Sequence, residues 1–410
     1  MPDAKKSWTV MVYLAGDNNL DENGVDDLKE MKKVGTTSGV NVVAQFDRAG
    51  AGQDTTRYCL RKGTTMEADA VETLGETDTG DPATLIDFID WAVGSYPADH
   101  YLLVLWNHGQ GWDDTDIYAG ERARGVRRGR PRQIRHALFR TSVVGAAKLS
   151  ARNGKVSRAI LLDDNAKDFL DNLEMKKVVA AGKKRLGRKI DILGMDACLM
   201  SMAEVSFQLR DSVQYTVGSE QTEPVDGWPY DKILKALSST PDMDPPALAQ
   251  LIVKQYLASY KGSDEAVTQS AIDLSKASVL AGECKALASA LKGAVADKAA
   301  RAAVVDARNR VQEYEVQDNV DLVDLCRLLK GAAVPSAVKQ ACGRVIAAVE
   351  GQSKFVMAAG YYGSPMKGSH GLAIYFPTRA VSPLYAKLDF VKKTGWGAFL
   401  TKYLDATRAR

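Results

Sequence analysis

Four segments of this chain are apolar at nearly every position: WTVMVYLAG (8–16), NVVAQFD (41–47), YLLVLWNHG (101–109) and DILGMDACLM (191–200). A strand with one wet face alternates polar and apolar residues, whereas a continuous run must be covered on both sides. That is the situation of strands inside a parallel sheet held between two layers of helices. The stretches between them carry helical spacing, through Val25, Leu28 and Met31 and again through TLIDFIDWAVGSY. Asp81-Pro82 ahead of the latter reads as a helix start, because proline's fixed φ and missing N–H suit a first turn. DFLDNLEMKKVVAAGKK is a third helix, a fourth runs through Met202, Val205 and Leu209, and YTVGSE (215–220) makes a fifth core strand. DTTRYCLRKG (54–63) alternates as an outer hairpin would, and AILLDD (159–164) is strand-like. The alternation predicts an α/β chain, a three-layer sandwich around a mostly parallel central sheet.

From about Pro229 the pattern turns helical and rich in alanine. The predicted organisation is a core unit over 1–230 and a largely helical region over 231–410 packed on it. That second region carries late strands at 354–362 (KFVMAAGYY) and 371–377 (GLAIYFP). No apolar run reaches the roughly 20 residues that span a bilayer, so no membrane partner is expected. The opening MPDAKKSWTVMVYLAG lacks a longer hydrophobic region and a small-residue cleavage site. It reads as the first strand, and the expected location is the cytoplasm. Cys59, Cys198, Cys284, Cys326 and Cys342 are scattered and form no CxxC pair. They fit a reducing compartment, not a disulfide scaffold or a zinc ribbon.

Charge is distributed unevenly. Between Glu121 and Arg158 lie ten arginines and two lysines against Glu121 alone, a net +11 in a chain of +3, so the remainder carries −8. The stretch 121–158 interrupts the strand–helix alternation, and a loop of that length is ordinarily functional or disordered.

Reactive residues follow two of the buried strands. His108 comes just past Leu103-Val104-Leu105, and Cys198 just past Ile192-Leu193. Open α/β sheets bind ligands at the carboxyl ends of their strands. A lone cysteine there is ordinarily a packing residue and a lone histidine a turn residue. A thiol and an imidazole at one sheet edge are what nucleophilic cysteine chemistry needs. Cys198 is expected to open a helix whose dipole favours thiolate. Gly109 is expected to let a substrate carbonyl approach the backbone, with its N–H and that of Cys198 forming an oxyanion hole. Cys284, Cys326 and Cys342 fall on apolar helix faces, and His370, ahead of a late strand, is the competing imidazole. The first strand ends in AGDNN with no GxGxxG, which argues against a nucleotide-binding Rossmann enzyme.

In the two blocks YLLVLWNHG and IDILGMDAC the chain resembles the clostripain family of cysteine peptidases, in the clan of caspases, legumain, gingipains and separase. VMVYLAGDNNL, NHGQGW, MDACLMSMAE, VGSEQTEPVDGWPY and GLAIYFP extend the likeness over nearly the whole chain outside 121–158. The resemblance implies a caspase-like sandwich in which His108 is general base and acid and Cys198 the nucleophile. It also implies cleavage of proteins or peptides after exposed arginine, or lysine, with carboxylates at the base of the S1 pocket. Asp196 and Asp226 are the candidates for that pocket, with Glu220 and Glu223 behind them, while Trp228 and Trp112 are candidate cleft walls.

An arginine-rich loop is a natural substrate for such an enzyme. The expectation is a zymogen cut within 121–158, at one of Arg124, Arg128, Arg130, Arg132, Arg135, Arg140, Lys148 or Arg152. Autocatalysis and an upstream activating protease both remain open. Nucleic acid is disfavoured as a partner, since only Phe139 accompanies the arginines as an aromatic platform. No cofactor or metal is required by this chemistry. Calcium stays open, with acidic runs such as Asp113-Asp114 and Asp116 but no EF-hand spacing. The rival expectation is a catalytically silent caspase-like binding or scaffold protein.

Overall fold

The computed structural model of the chain describes residues 5–113 and 160–408. The four continuous apolar runs become β1 (Lys6–Gly16), β2 (Val40–Arg48), β5 (Ala98–Trp106) and β8 (Ile190–Asp196). With β9 (Val213–Gly218) they form a parallel block in the order β9-β8-β5-β1-β2. β3 (Thr55–Cys59) and β4 (Ala70–Gly75) extend it antiparallel beyond β2. On the other side β10 (Val267–Asp273) and β12 (Val356–Tyr362) add two antiparallel strands, completing a nine-stranded sheet.

Alternate side chains of the parallel block enter two separate cores. Met11, Tyr13, Leu103, Leu105, Leu193 and Met195 pack with the helices Pro82–Ser95 and Asn172–Leu186. Val10, Val12, Leu102, Val104, Trp106 and Ile192 pack on the opposite face with the helices Asp21–Lys32, Tyr230–Ser239 and Pro245–Ser259. Each of these large side chains contributes about 1.5–3 kcal/mol on burial, which explains why the runs are apolar throughout. The helix ends follow local chemistry. Asp81 caps Ala83 N with Pro82 in the first turn, and Asp171 and Glu174 close a capping box.

Beyond residue 231, helices predominate, but β10 and β12 belong to the main sheet. The late run 371–377 contains β13 (Ala373–Tyr375), which pairs with β11 (Asn319–Asp321) in a separate two-stranded ladder. Likewise β6 (Ile160–Asp163) and β7 (Asp168–Leu170) form their own hairpin, so the strand-like 159–164 segment does not enter the central sheet. Among the described residues no helix is long and apolar enough to cross a membrane.

Candidate active site

The register of β5 on β8 sets the site. Leu102 pairs with Ile192 and Trp106 with Asp196, so the strands finish level, and His108 and Cys198 each stand two residues beyond the last pair. Asn107 N donates to Asp196 O at 3.3 Å, carrying the pairing one step further. A Cβ added to Gly109 would lie 2.7 Å from Cys198 O, 2.9 Å from Ala197 Cβ and 3.2 Å from Cys198 N. The glycine is therefore dictated by close packing on the Ala197–Cys198 backbone, a tighter constraint than the approach of a substrate. Gly111, at φ +72, sits against Met202 Sδ and Leu199 O in the same way. Together the two glycines of NHGQG press the histidine turn onto the cysteine turn.

The segment after Cys198 is not yet helix. Leu199 has φ +64, and the helix begins only at Ala203, running to Leu209. The expected helix dipole at the thiol is thus absent, because the chain first makes an extended bridge through Met202 to Ala373. The thiol instead meets the loop after β9. Glu223 N donates to Cys198 Sγ at 3.3 Å, and Sγ lies 3.9 Å from Glu223 O. Burial, with the charges of Glu223 and Asp196, pushes the Cys198 thiol up to about 12. Burial pulls His108 down to about 4, against an opposing pull from Asp164. His108 Nε2 faces Asn19 Oδ1 at 3.0 Å. An amide oxygen only accepts, so the proton resides on Nε2 and Nδ1 is the basic nitrogen.

Asp196 is buried beneath this pair. Its Oδ2 accepts from Trp228 N at 3.3 Å and from the Tyr230 hydroxyl at 2.8 Å, and it adjoins the Glu223 carboxyl. Burial and the mutual repulsion of the two carboxylates hold Glu223 well above the ordinary carboxylate range, and burial raises Asp196. Asp226 is exposed on the same loop, next to Gly227, whose backbone abuts the Asp196 carboxylate. Glu220 points elsewhere: it accepts from the Tyr314 hydroxyl at 2.6 Å and Gly371 N at 3.0 Å. Trp228 and Trp112 are core residues, not cleft walls, at 1% and 3% exposure. Trp112 packs on the Tyr375 and Tyr385 rings, and Trp228 lies under Gly194 of β8. His370 is committed to Asp321, 3.0 Å from Nδ1, and to Arg327. Cys284, Cys326 and Cys342 are buried in the helical packing. Arg124, Arg128, Arg130, Arg132, Arg135, Arg140, Lys148 and Arg152 lie outside the described residues, as do Asp114 and Asp116.

Several supporting residues carried no sequence signal. Thr268 Oγ1 accepts from Glu220 N and Gln221 N, Gln269 Nε2 donates to Glu223 Oε1, and the Ser270 hydroxyl meets that of Ser201 at 2.7 Å. All three lie on β10 and fix the loops around the thiol. Asn107 Nδ2 and Asn18 Nδ2 both donate to Ala15 O and Leu162 O, tying the ends of β1, β5 and β6 together.

A histidine and a cysteine side by side at the carboxyl edge of a mostly parallel sheet between helices define the caspase-like class of cysteine-peptidase folds. The family model described as the clostripain family matches residues 12–126 and 144–403, and the chain belongs to that family, peptidase family C11. Clostripain of Hathewaya histolytica is 27% identical over 259 residues, an alignment covering 56% of this chain and 42% of that protein. The chain therefore spans less than half the length of that curated relative. Among solved structures, a secreted C11 cysteine protease from Bacteroides thetaiotaomicron in complex with an irreversible peptide inhibitor superposes with TM-score 0.64 at 19% identity, covering 96% of this chain and 99% of that one. An inactive zymogen C11 protease from Parabacteroides distasonis gives 0.62 at 20%, with coverage of 96% and 99%.

Proposed function

We propose that the protein is an endopeptidase cleaving after arginine, or lysine, through an acyl-thioester on Cys198. The observation that carries this reading is the level register of β5 and β8, with Gly109 packed on the Cys198 backbone. His108 Nδ1 takes the thiol proton as sulfur attacks the carbonyl carbon of the residue before the scissile bond. The C–N bond then breaks, and the imidazolium returns its proton to the departing amine. Water, losing a proton to the same nitrogen, hydrolyses the thioester and frees the sulfur. The N–H groups of Gly109 and Cys198 stabilise the oxyanion of each tetrahedral intermediate. Asp196 and Asp226 supply the negative charge for the cationic side chain of the substrate. The crowding of Asp196 against Glu223 favours this reading, since an entering guanidinium neutralises two carboxyls that otherwise hold a proton.

The uncut chain is latent in this account. A thiol near 12 and an imidazole near 4 leave both partners neutral at pH 7, and Glu223 brackets the sulfur. Activation is a cut within 121–158, made by the enzyme on itself or by another protease. The two pieces stay joined, because β5 and β8 pair in the middle of the sheet on either side of that segment. The proposed substrates are cytoplasmic proteins with exposed arginine or lysine. Turnover of fluorogenic peptides with Arg, Lys or Asp before the scissile bond tests the reading, before and after cleavage of the 121–158 segment. Basic peptides should be cut, with losses of about 10³-fold or more in Cys198→Ala and His108→Ala. Failure to cut any basic peptide after loop cleavage would sink it and favour a silent binding protein.

A further inference from the structure

His370 takes no part in the reaction above, yet its backbone and its ring are fastened to one carboxylate. His370 N donates to Asp321 Oδ2 at 2.6 Å, and Nδ1 lies 3.0 Å from Asp321 Oδ1. Arg327 meets the other ring nitrogen. A guanidinium only donates, so Nε2 is the acceptor and the ring proton sits on Nδ1, directed at Asp321. Asp321 is fully buried and also caps the helix Leu322–Gly331 through Asp324 N at 2.7 Å. Capping explains one hydrogen bond of that carboxylate, not the imidazole, nor the Tyr314 hydroxyl at 3.4 Å. The other charged groups facing the ring are Asp324 and Glu350, and Glu350 accepts from Arg327 at 2.9 Å.

The segment after His370 reaches both loops at the thiol. Gly371 N donates to Glu220 Oε2 at 3.0 Å, and Gly371 O accepts from Ser201 Oγ at 2.9 Å. Ala373 N donates to Ser201 O at 2.9 Å. Ser201 N in turn donates to Ser219 O at 2.8 Å, and Leu199 N to Gln221 O at 3.2 Å. The segments 199–201 and 219–221 are thus tied to each other and to 371–373. They flank Cys198 and lead to Glu223, whose N–H holds the sulfur. Gly371 has no slack: at φ +91, a Cβ there would lie 2.5 Å from Ala359 Cβ and 2.9 Å from Ser270 Cβ. Burial and the charge of Asp321 hold Glu220 well above the ordinary carboxylate range, so it stays protonated and bonds Asp321 without repelling it. We propose that His370 is a positioning residue for Cys198: its Nδ1–H, held on Asp321, sets segment 371–373 and through it the place of the sulfur. The inference rests on the reading of Cys198 as the nucleophile.

The full chain carrying His370→Ala or His370→Asn tests it, the second because an asparagine Nδ2 donor takes the place of Nδ1–H on Asp321. In the uncut chain iodoacetamide should label Cys198 about tenfold faster in His370→Ala than in wild type, since losing one hydrogen bond makes local opening easier by about that factor. After cleavage within 121–158, kcat on an arginine peptide should fall about tenfold with KM changed less than about twofold, a part of the loss that a displacement of about 1 Å brings. His370→Asn should return both readings to within about threefold of wild type. Buried Cys284, Cys326 and Cys342 are the internal control for unfolding, and they should stay unlabelled in every variant. Wild-type behaviour of His370→Ala in both readings, or equal defects in the alanine and asparagine variants, would overturn the proposal. So would labelling of the three buried cysteines in step with Cys198, the mark of a merely structural histidine. Wild-type protein that cuts no basic peptide refutes the peptidase reading alone, and the labelling ratio then decides the place of His370.

Discussion

Substituting Gly109 by alanine adds one methyl group at the point where the histidine turn meets the cysteine turn. That carbon would stand 2.7 Å from Cys198 O, 2.9 Å from Ala197 Cβ and 3.2 Å from Cys198 N. Two of the three neighbours are backbone atoms, which have no rotamer to escape into, so the turns must part by roughly 0.5–1 Å to restore ordinary contact. Overpacking of this kind costs about 1–3 kcal/mol of stability. A displacement of about 1 Å between reacting groups costs on the order of 100-fold in rate. Gly109→Ala should therefore lower kcat/KM on an arginine peptide about 100-fold, while Tm falls by only a few degrees. Gly282→Ala is the matched control: a Cβ there meets nothing within 4 Å, and the position is helical. It should stabilise by about 0.5–1 kcal/mol and leave activity unchanged. Activity of Gly109→Ala within threefold of wild type, in folded protein, would refute the packing argument.

Alkylation of Cys198 by iodoacetamide in the uncut chain should be slow at pH 7 and still climbing at pH 10, because the raised thiol yields thiolate only near its pKa of about 12; a plateau by pH 8 contradicts this. Asp196→Asn should cut kcat/KM for arginine and lysine peptides by about 100-fold without comparable loss of alkylation of Cys198, and equal losses in both would point to misfolding. Glu204 is fully buried, accepts from Tyr375 N at 3.0 Å and from the Tyr385 hydroxyl at 2.6 Å, and is raised from 4.5 to about 7. An acid raised in this way favours folding fully below its unfolded pKa and loses that contribution as pH rises through 7. The loss is about 3 kcal/mol, so wild type should lose more Tm than Glu204→Gln between pH 5 and pH 8. Parallel pH profiles for the two proteins would count against it.

Much of the site was legible because burial writes itself into sequence. β1, β2, β5 and β8 are covered on both faces, their residues are apolar at successive positions, and their ends mark where His108 and Cys198 emerge. β10 was illegible for the opposite reason. Thr268, Gln269 and Ser270 are fully buried yet polar, each paired with a loop near the thiol, so no apolar period announces the strand. The delayed helix after Cys198 was equally hidden, since the left-handed Leu199 and the Met202 bridge depend on β13, about 170 residues away. Trp228 and Trp112 look like cleft residues in a motif but fill the cores beneath it. Asn19 gave no periodic signal because its partner, His108, lies 89 residues on.

The reading stands or falls on whether Cys198 is the nucleophile that a basic substrate reaches. After cleavage of the 121–158 segment, the protein can be treated with a peptidyl-arginine acyloxymethyl ketone and mapped by tandem mass spectrometry. A single adduct on Cys198, lost in Cys198→Ala and greatly slowed in His108→Ala, is the predicted result. An adduct on Cys59, or no adduct while the fold is intact, would contradict it.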